Sequence, residues 1–396
     1  MILKKNVIVW AASLCFLMVV GCTPVCPESE PAAMASRVVV GKYTRVWDFA
    51  VADDDGAVMA GSADATPLVD SDYVLDAFVV KASASGQIQW TRSWDWGDED
   101  EWTSIAPSGD GGYYMAGVTG ASVIFPGYLL GHTDMILAKV DGDGQEVWSK
   151  VLRGARKVSV WSLCVNPDAS FTVAGTESRN ALLAKFDADG NELWRRTLDQ
   201  SITLSCIATR DGGYAFCGQS GNGYRSVVKT DPEGASEWEF NDADTPAQRS
   251  TKAAAQEMIE TWDDGYAVVG IDLDESIGGY RPYVFKLDSA GAFQWDAFGP
   301  GAPYAYGYGL VELPDGDLVA GGYAYSLGFI DIRTICDRFY GVRFSERGEL
   351  QWSGRLGDID AQAYSMRVNS AGQVVFAGTE FDGGDVIHTV TTDAGG

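Results

Sequence analysis

The sequence predicts an all-β protein, a single β-propeller of seven four-stranded blades closed by an N-terminal strand in the last blade. Three observations carry this reading. The first is a repeated half-unit that ends in Ala-Gly or a near variant, as in Gly112-Tyr-Tyr-Met-Ala-Gly117 and Gly213-Tyr-Ala-Phe-Cys-Gly218. Its terminal glycines are Gly61, Gly117, Gly175, Gly218, Gly270, Gly321 and Gly378. The second is a fixed triple in the other half-unit. Lys81, Lys139, Lys185, Lys229, Lys286 and Arg343 each precede a glycine (Gly86, Gly144, Gly190, Gly234, Gly291, Gly348) and then a tryptophan (Trp90, Trp148, Trp194, Trp238, Trp295, Trp352) at constant spacing. The third is the length and make-up of the apolar runs, which are short, β-branched or aromatic, and bounded by turn residues. Internal repetition of a four-strand unit is the sequence signature of a propeller.

Each blade element follows from local chemistry. In the third unit, Trp161 to Val165, Ser170 to Gly175, Ala181 to Phe186 and Glu192 to Leu198 are too short for helices and alternate with Asp- and Gly-bearing turns. Asp-Gly-Gly and Asp-x-x-Gly supply the positive φ that tight hairpins require. The repeated tryptophans are expected to wedge between blades. The Lys/Arg is expected to pair with an acid or to lie on the indole face. The last unit, Asp385 to Gly396, stops where the others begin their Trp-bearing strand. Val38 to Val40 fall in the register of a fourth strand, so residues 37–41 are expected to complete blade seven and remove an open edge.

Ahead of the repeats, Lys4 and Lys5 precede an apolar run from Val7 to Gly21. That run is shorter than the roughly 20 residues of a comfortable membrane span and suits the core of a signal peptide. Val19-Val20-Gly21-Cys22 resembles a lipobox, which implies cleavage before Cys22 and a diacylglycerol on its sulfur. The division expected is a signal peptide over 1–21, the lipidated Cys22 with a Pro/Glu/Ser/Ala tether over 22–36, and the propeller over 37–396. The expected location is the cell envelope, held to a membrane through the lipid alone. Thr23 after the cysteine points to the outer membrane in a Gram-negative cell.

A net charge of -26 repels phosphate backbones, so nucleic acid is not an expected partner. The Gly-Gly-Tyr-x-x-Ala-Gly half resembles repeats of secreted bacterial propellers. Asp187-Ala-Asp-Gly-Asn-Glu-Leu-Trp194 is similar to the tryptophan-docking motif of the quinoprotein (PQQ-like) propellers. The resemblance covers nearly the whole mature chain, yet those relatives usually carry eight blades, and its motifs imply fold rather than activity.

No catalytic residue, metal site or cofactor is expected. His132 and His388 lie in different repeats. The calcium-like Asp141-Gly-Asp143-Gly recurs as a hairpin turn, so turn chemistry accounts for it. Cys206 and Cys217 flank a hairpin read as centred on Asp211-Gly212, which would set them opposite one another as a candidate disulfide. The alternative reading is that Cys217 fills a small buried position held by alanine in most other units.

Function is expected on one face. The third-to-fourth turns never change length, whereas the second-to-third loops and the loops leading into each blade do. Variable loops on a rigid scaffold are the usual place for recognition. Trp47, Trp102, Trp161, Tyr304, Tyr306 and Tyr364, with Asp98, Asp100, Asp358 and Asp360, are the candidate ligand-face residues. They suggest an acidic, aromatic-rimmed site around the central channel, suited to a protein, peptide or glycan ligand. Packed aromatics under a solvated acidic surface are the competing reading. A binding or scaffold module is the leading function. A PQQ-dependent oxidoreductase and a purely structural envelope component are the alternatives.

Overall fold

The computed structural model describes residues 34–39, 44–64, 75–97, 99–120, 123–125, 128–129, 133–154, 157–198, 202–242, 254–274, 279–299, 304–327, 335–356, 361–380 and 386–392. These form seven four-stranded antiparallel blades. The first strands of the blades are Arg45–Val51, Asp100–Pro107, Val158–Val165, Ile202–Ala208, Ala254–Glu260, Tyr304–Glu312 and Ala361–Val368. Each touches the first strand of the next blade, and the seventh returns to the first, so they surround a central channel. Blades five and six also share one parallel bridge, Tyr280 to Tyr304. In blade two a small hairpin, Val123–Phe125 with Tyr128–Leu129, interrupts the long loop between the second and third strands.

Closure occurs where the sequence places it, with a shifted boundary. Met34–Val39 pairs antiparallel with Val386–Thr392, and Val38 stands opposite Ile387. The closing strand therefore starts three residues inside the segment read as tether and ends before Gly41.

The core lies between blades rather than within one layer. Ala60, Val79, Trp102, Met115 and Ile136 pack blade one on blade two, and Val118, Leu137, Val160 and Val173 pack blade two on blade three. The repeated tryptophans join this packing in a specific way. A Cβ on Gly144 would fall 2.5 Å from the Trp90 ring, one on Gly190 2.8 Å from Trp148, and one on Gly291 2.6 Å from Trp238. Each indole thus lies on the third-to-fourth turn of the following blade. Three of them also donate Nε1–H to a carbonyl there: Trp90 to Gly142, Trp148 to Ala188 and Trp295 to Glu346, at 3.1–3.2 Å. The invariant turn glycine serves two needs, a positive φ (+76° at Gly144) and the absence of a side chain.

The basic residue of the triple takes the acid in most blades. Lys139 reaches Asp110 at 2.6 Å, Lys229 reaches Asp211 at 2.7 Å, Lys286 reaches Asp263 at 2.8 Å, and Arg343 reaches Asp315 at 2.6 Å. All four acids sit in first-to-second turns, and the Lys139 ammonium holds the Asp110 carboxyl down at about 2. In blade three Lys185 instead lies over the Tyr214 ring, 5.7 Å from its centroid.

One feature of every first strand was not expected. Each carries a β-bulge at the same place, at Trp47, Thr103, Trp161, Leu204, Gln256, Tyr308 and Tyr364. The bulge pushes the preceding backbone toward the second strand, which explains the terminal glycines. A Cβ on Gly61 would lie 1.7 Å from the Arg45 carbonyl oxygen, and one on Gly175 1.9 Å from that of Ser159. In blade six the residue under this constraint is Gly322, at 2.1 Å from the Tyr306 carbonyl oxygen, and not Gly321.

The candidate Cys206–Cys217 disulfide is not formed, and the reading of Cys217 as a small buried residue holds. The hairpin turns through residues 209–213, with Gly212 at φ +89°, rather than through a two-residue loop. Its ladder resumes at Ala208 opposite Tyr214, so Cys206 faces Phe216 and Cys217 faces Ser205. A shift of one residue sends the two side chains to opposite faces of the blade. Cys206 packs with Cys164 and Cys217 with Val227, so Cys206 and Cys217 are not bonded to each other.

Candidate functional site

The bulges build the site. A bulge sets two residues of one strand against a single partner residue and re-aims the side chains. Here seven bulges at one level give the channel two adjoining rings. The bulged residues Trp47, Thr103, Trp161, Leu204, Gln256, Tyr308 and Tyr364 line a cavity of about 100 Å³ on the side of the blade-inlet loops. The residues that follow six of them, Asp48, Ser104, Ser162, Ser205, Glu257 and Ser365, form a waist with Arg367. Beyond the waist, toward the first-to-second turns, a wider basin of about 530 Å³ opens between Cys164, Cys206, Ile259, Trp262 and Val311.

The waist is a hydrogen-bonded ring that also stitches blades together. Asp48 accepts from Ser104 Oγ (2.9 Å), Ser365 Oγ (2.8 Å), Arg367 Nη2 (2.7 Å) and the Ile105 amide (3.1 Å). Ser104 Oγ accepts the Leu163 amide and Ser162 Oγ the Cys206 amide, each at 3.1 Å and each from the next blade. Glu257 accepts the Leu310 amide at 3.0 Å and Arg367 Nη1 at 3.2 Å. Two carboxylates therefore share one guanidinium. Glu257 keeps 20% of its side chain open to the channel. Loss of bulk hydration pushes its carboxyl up to about 7; Asp48 adds to this, while Arg367 and the Leu310 amide oppose it.

Above the waist the aromatic rings form a continuous array. Trp47 meets Tyr364 at 5.1 Å between centroids, Tyr364 meets Tyr308 at 5.4 Å, and Tyr308 meets Tyr323 at 5.8 Å. Tyr306 extends the array to Tyr280 at 5.4 Å. The indole Nε1 atoms of Trp47 and Trp161 are buried and find no acceptor among the described residues. A buried donor without a partner is destabilising by about 1–3 kcal/mol unless water or a ligand supplies one.

Of the ligand-face residues read from the sequence, Trp47, Trp161 and Tyr364 meet at the channel. Trp102 does not. It stands one residue before its bulge, is fully buried, and packs edge-on against Trp94 and Trp96 between blades one and two. Tyr306 belongs to the array outside the channel lining, and Tyr308, missed from the sequence, takes its place there. The Tyr304 backbone pairs with Tyr325. Asp98, Asp358, Asp360 and Cys22 lie outside the described residues. Asp100 is buried away from the channel, where its carboxylate comes within 4.8 Å of those of Asp76 and Asp95. Burial, then the charges of Asp95, Asp100 and Asp64, raise Asp76 to about 6. These are hard oxygen donors of the type that hold calcium.

Comparison with known proteins bears on the fold. No protein-family model matches the chain, and no curated protein matches it. Among solved structures, the WD40 domain of Neurospora crassa Pan2 is similar at TM-score 0.56 and 11% identity, covering 92% of this chain and 96% of that one. The structure of YCF48 bound to D1 peptide is similar at TM-score 0.53 and 13% identity, covering 92% of this chain and all of that one. The Dos1 propeller is similar at TM-score 0.53 and 9% identity, covering 91% and 95%. These identities support the propeller fold and nothing finer.

Proposed function

We propose that this protein is a non-catalytic binding module of the cell envelope, anchored by a lipid on Cys22, whose ligand enters the channel mouth. The observation that carries the reading is the bulge ring. It gathers Trp47, Trp161, Tyr308 and Tyr364 around one cavity and leaves two indole N–H donors buried without acceptors. Flat aromatic faces above serine hydroxyls suit a ligand with apolar ring faces and oxygen acceptors, which is the chemistry of a glycan end. A second reading draws on the carboxylates of Asp48 and Glu257 and on the net charge of -26. It has a cationic peptide side chain reaching the waist. The quinoprotein alternative gains no support at the channel mouth, because a tricarboxylate cofactor would meet the carboxylates of Asp48 and Glu257 there, with the Arg367 guanidinium already paired to both.

A glycan array probed with labelled protein, together with a fluorescence titration by trilysine, tests both readings. Glycan binding that is indifferent to salt supports the first. Trilysine binding that weakens steeply with salt supports the second. Binding to neither probe defeats the channel-mouth proposal.

A further inference from the structure

We propose that Cys164 and Cys206 form a disulfide that ties the innermost strand of blade three to that of blade four. The two sulfurs lie 3.5 Å apart in the channel wall beyond the waist. Closing that gap to a covalent S–S length needs a combined movement of about 1.5 Å. The strands that carry them are not ladder partners, so side-chain rotation and a small approach of two packed blades supply the movement without breaking a sheet. Among the described residues, the other contacts of the two sulfurs are to the Thr172 backbone, which meets the Cys164 sulfur and whose carbonyl oxygen lies 3.8 Å from the Cys206 sulfur, while Cys217 packs on the other face of its blade.

The position has a consequence for the site. Cys164 follows the bulged Trp161 by three residues, and Cys206 follows the bulged Leu204 by two. The same two strands are already joined by the Cys206 amide donating to Ser162 Oγ. A covalent link here fixes the spacing of two neighbouring bulges, and with them the Trp161 side of the channel mouth.

The chemistry is thiol–disulfide exchange with a disulfide oxidant. The two thiols give up two protons and two electrons as the S–S bond forms, and the oxidant's own disulfide leaves as two thiols. Both side chains are buried, and the neighbouring Cys206 sulfur together with burial pushes the Cys164 thiol well up. A neutral buried thiol is a poor nucleophile. The bond therefore forms during folding, before blades three and four close over the pair.

Trypsin separates the three cysteines into peptides 158–179, 197–210 and 211–225. The full chain is unfolded with reductant, refolded in a mixture of reduced and oxidised glutathione, blocked with an alkylating agent, digested without reduction and weighed. The proposal expects 158–179 joined to 197–210, two hydrogens lighter than the sum of the free peptides. It also expects reductant to lower the urea midpoint of the oxidised wild type and to leave that of the Cys164→Ala/Cys206→Ala variant unchanged. Alkylation of both cysteines, or linkage of either one to 211–225, overturns it. So does a wild-type midpoint indifferent to reductant.

Discussion

Replacing Gly144 by alanine isolates the energy of the tryptophan-to-turn contact that repeats around the ring. Two effects add at this position. The backbone sits at φ +76°, where a Cβ is destabilising by about 1 kcal/mol. The new methyl would also lie 2.5 Å from Trp90 Cδ2 and 2.7 Å from Cε3, so the indole must shift, and overpacking of this kind costs about 1–3 kcal/mol. The expected loss is about 2–4 kcal/mol by these two contributions. Gly372→Ala is the control, because Gly372 has a nearly identical φ of +75° with no atom within 4 Å of the added carbon. It should lose only about 1 kcal/mol. Urea unfolding followed by far-ultraviolet circular dichroism measures both. In the Trp90→Ala background, Gly144→Ala should fall to the control value, since the ring it strikes is gone. Equal losses for Gly144→Ala and Gly372→Ala in the wild-type background would refute the docking account.

Three further outcomes follow from buried charge and from the N-terminus. Glu257 has an ordinary carboxyl pKa of 4.5 and a folded value of about 7, so the folded protein holds its proton over a window in which the unfolded chain releases it. Its contribution is therefore complete below about 4.5 and lost as pH rises through 7. The stability difference between wild type and Glu257→Gln should shift by up to about 3 kcal/mol in favour of the variant across that window; a constant difference would contradict the assignment. Arg225 is fully buried against Asp242 (2.7 Å) and Asp272 (3.4 Å) and lies 4.0 Å from the Tyr283 ring centroid. Arg225→Ala strands two buried carboxylates and should lose about 3–5 kcal/mol in urea unfolding at neutral pH, whereas a loss near zero would mean the group is hydrated. Cys22→Ser should abolish incorporation of labelled palmitate, and continued labelling would refute the lipobox reading.

The repeat frame was legible because three demands coincide at fixed spacing: the positive-φ turn, the indole that covers it, and the cation opposite the first-to-second turn. Closure was legible for a related reason, since a blade lacking its fourth strand leaves an unpaired edge, and the N-terminal run has the strand pattern that covers it. The channel was only half legible. Trp47, Trp161 and Tyr364 are aromatic and sit at bulges, whereas Trp102 is aromatic and sits one residue short of its bulge, which turns it into the core. Strand alternation cannot place such residues, because the bulge inserts one extra step. A signal for it does exist. Thirteen positions before each terminal glycine, with Gly322 taking the place of Gly321 in blade six, stand Asp48, Ser104, Ser162, Ser205, Glu257, Gly309 and Ser365, a column of polar or side-chain-free residues. The same extra step hid the Cys164–Cys206 approach, which joins two blades and leaves no trace in the spacing of a single hairpin.

The most direct test of the channel-mouth reading compares three proteins on one glycan array: wild type, Trp47→Ala/Trp161→Ala, and Trp262→Ala. Trp262 is 70% exposed in a first-to-second turn on the opposite face, so it controls for the loss of an accessible indole. The account predicts that the double variant keeps its fold and loses binding by at least about tenfold, a change of about 1.4 kcal/mol, while Trp262→Ala binds as wild type does. Full binding by the double variant, with loss in Trp262→Ala, would place the ligand on the other face and contradict the account.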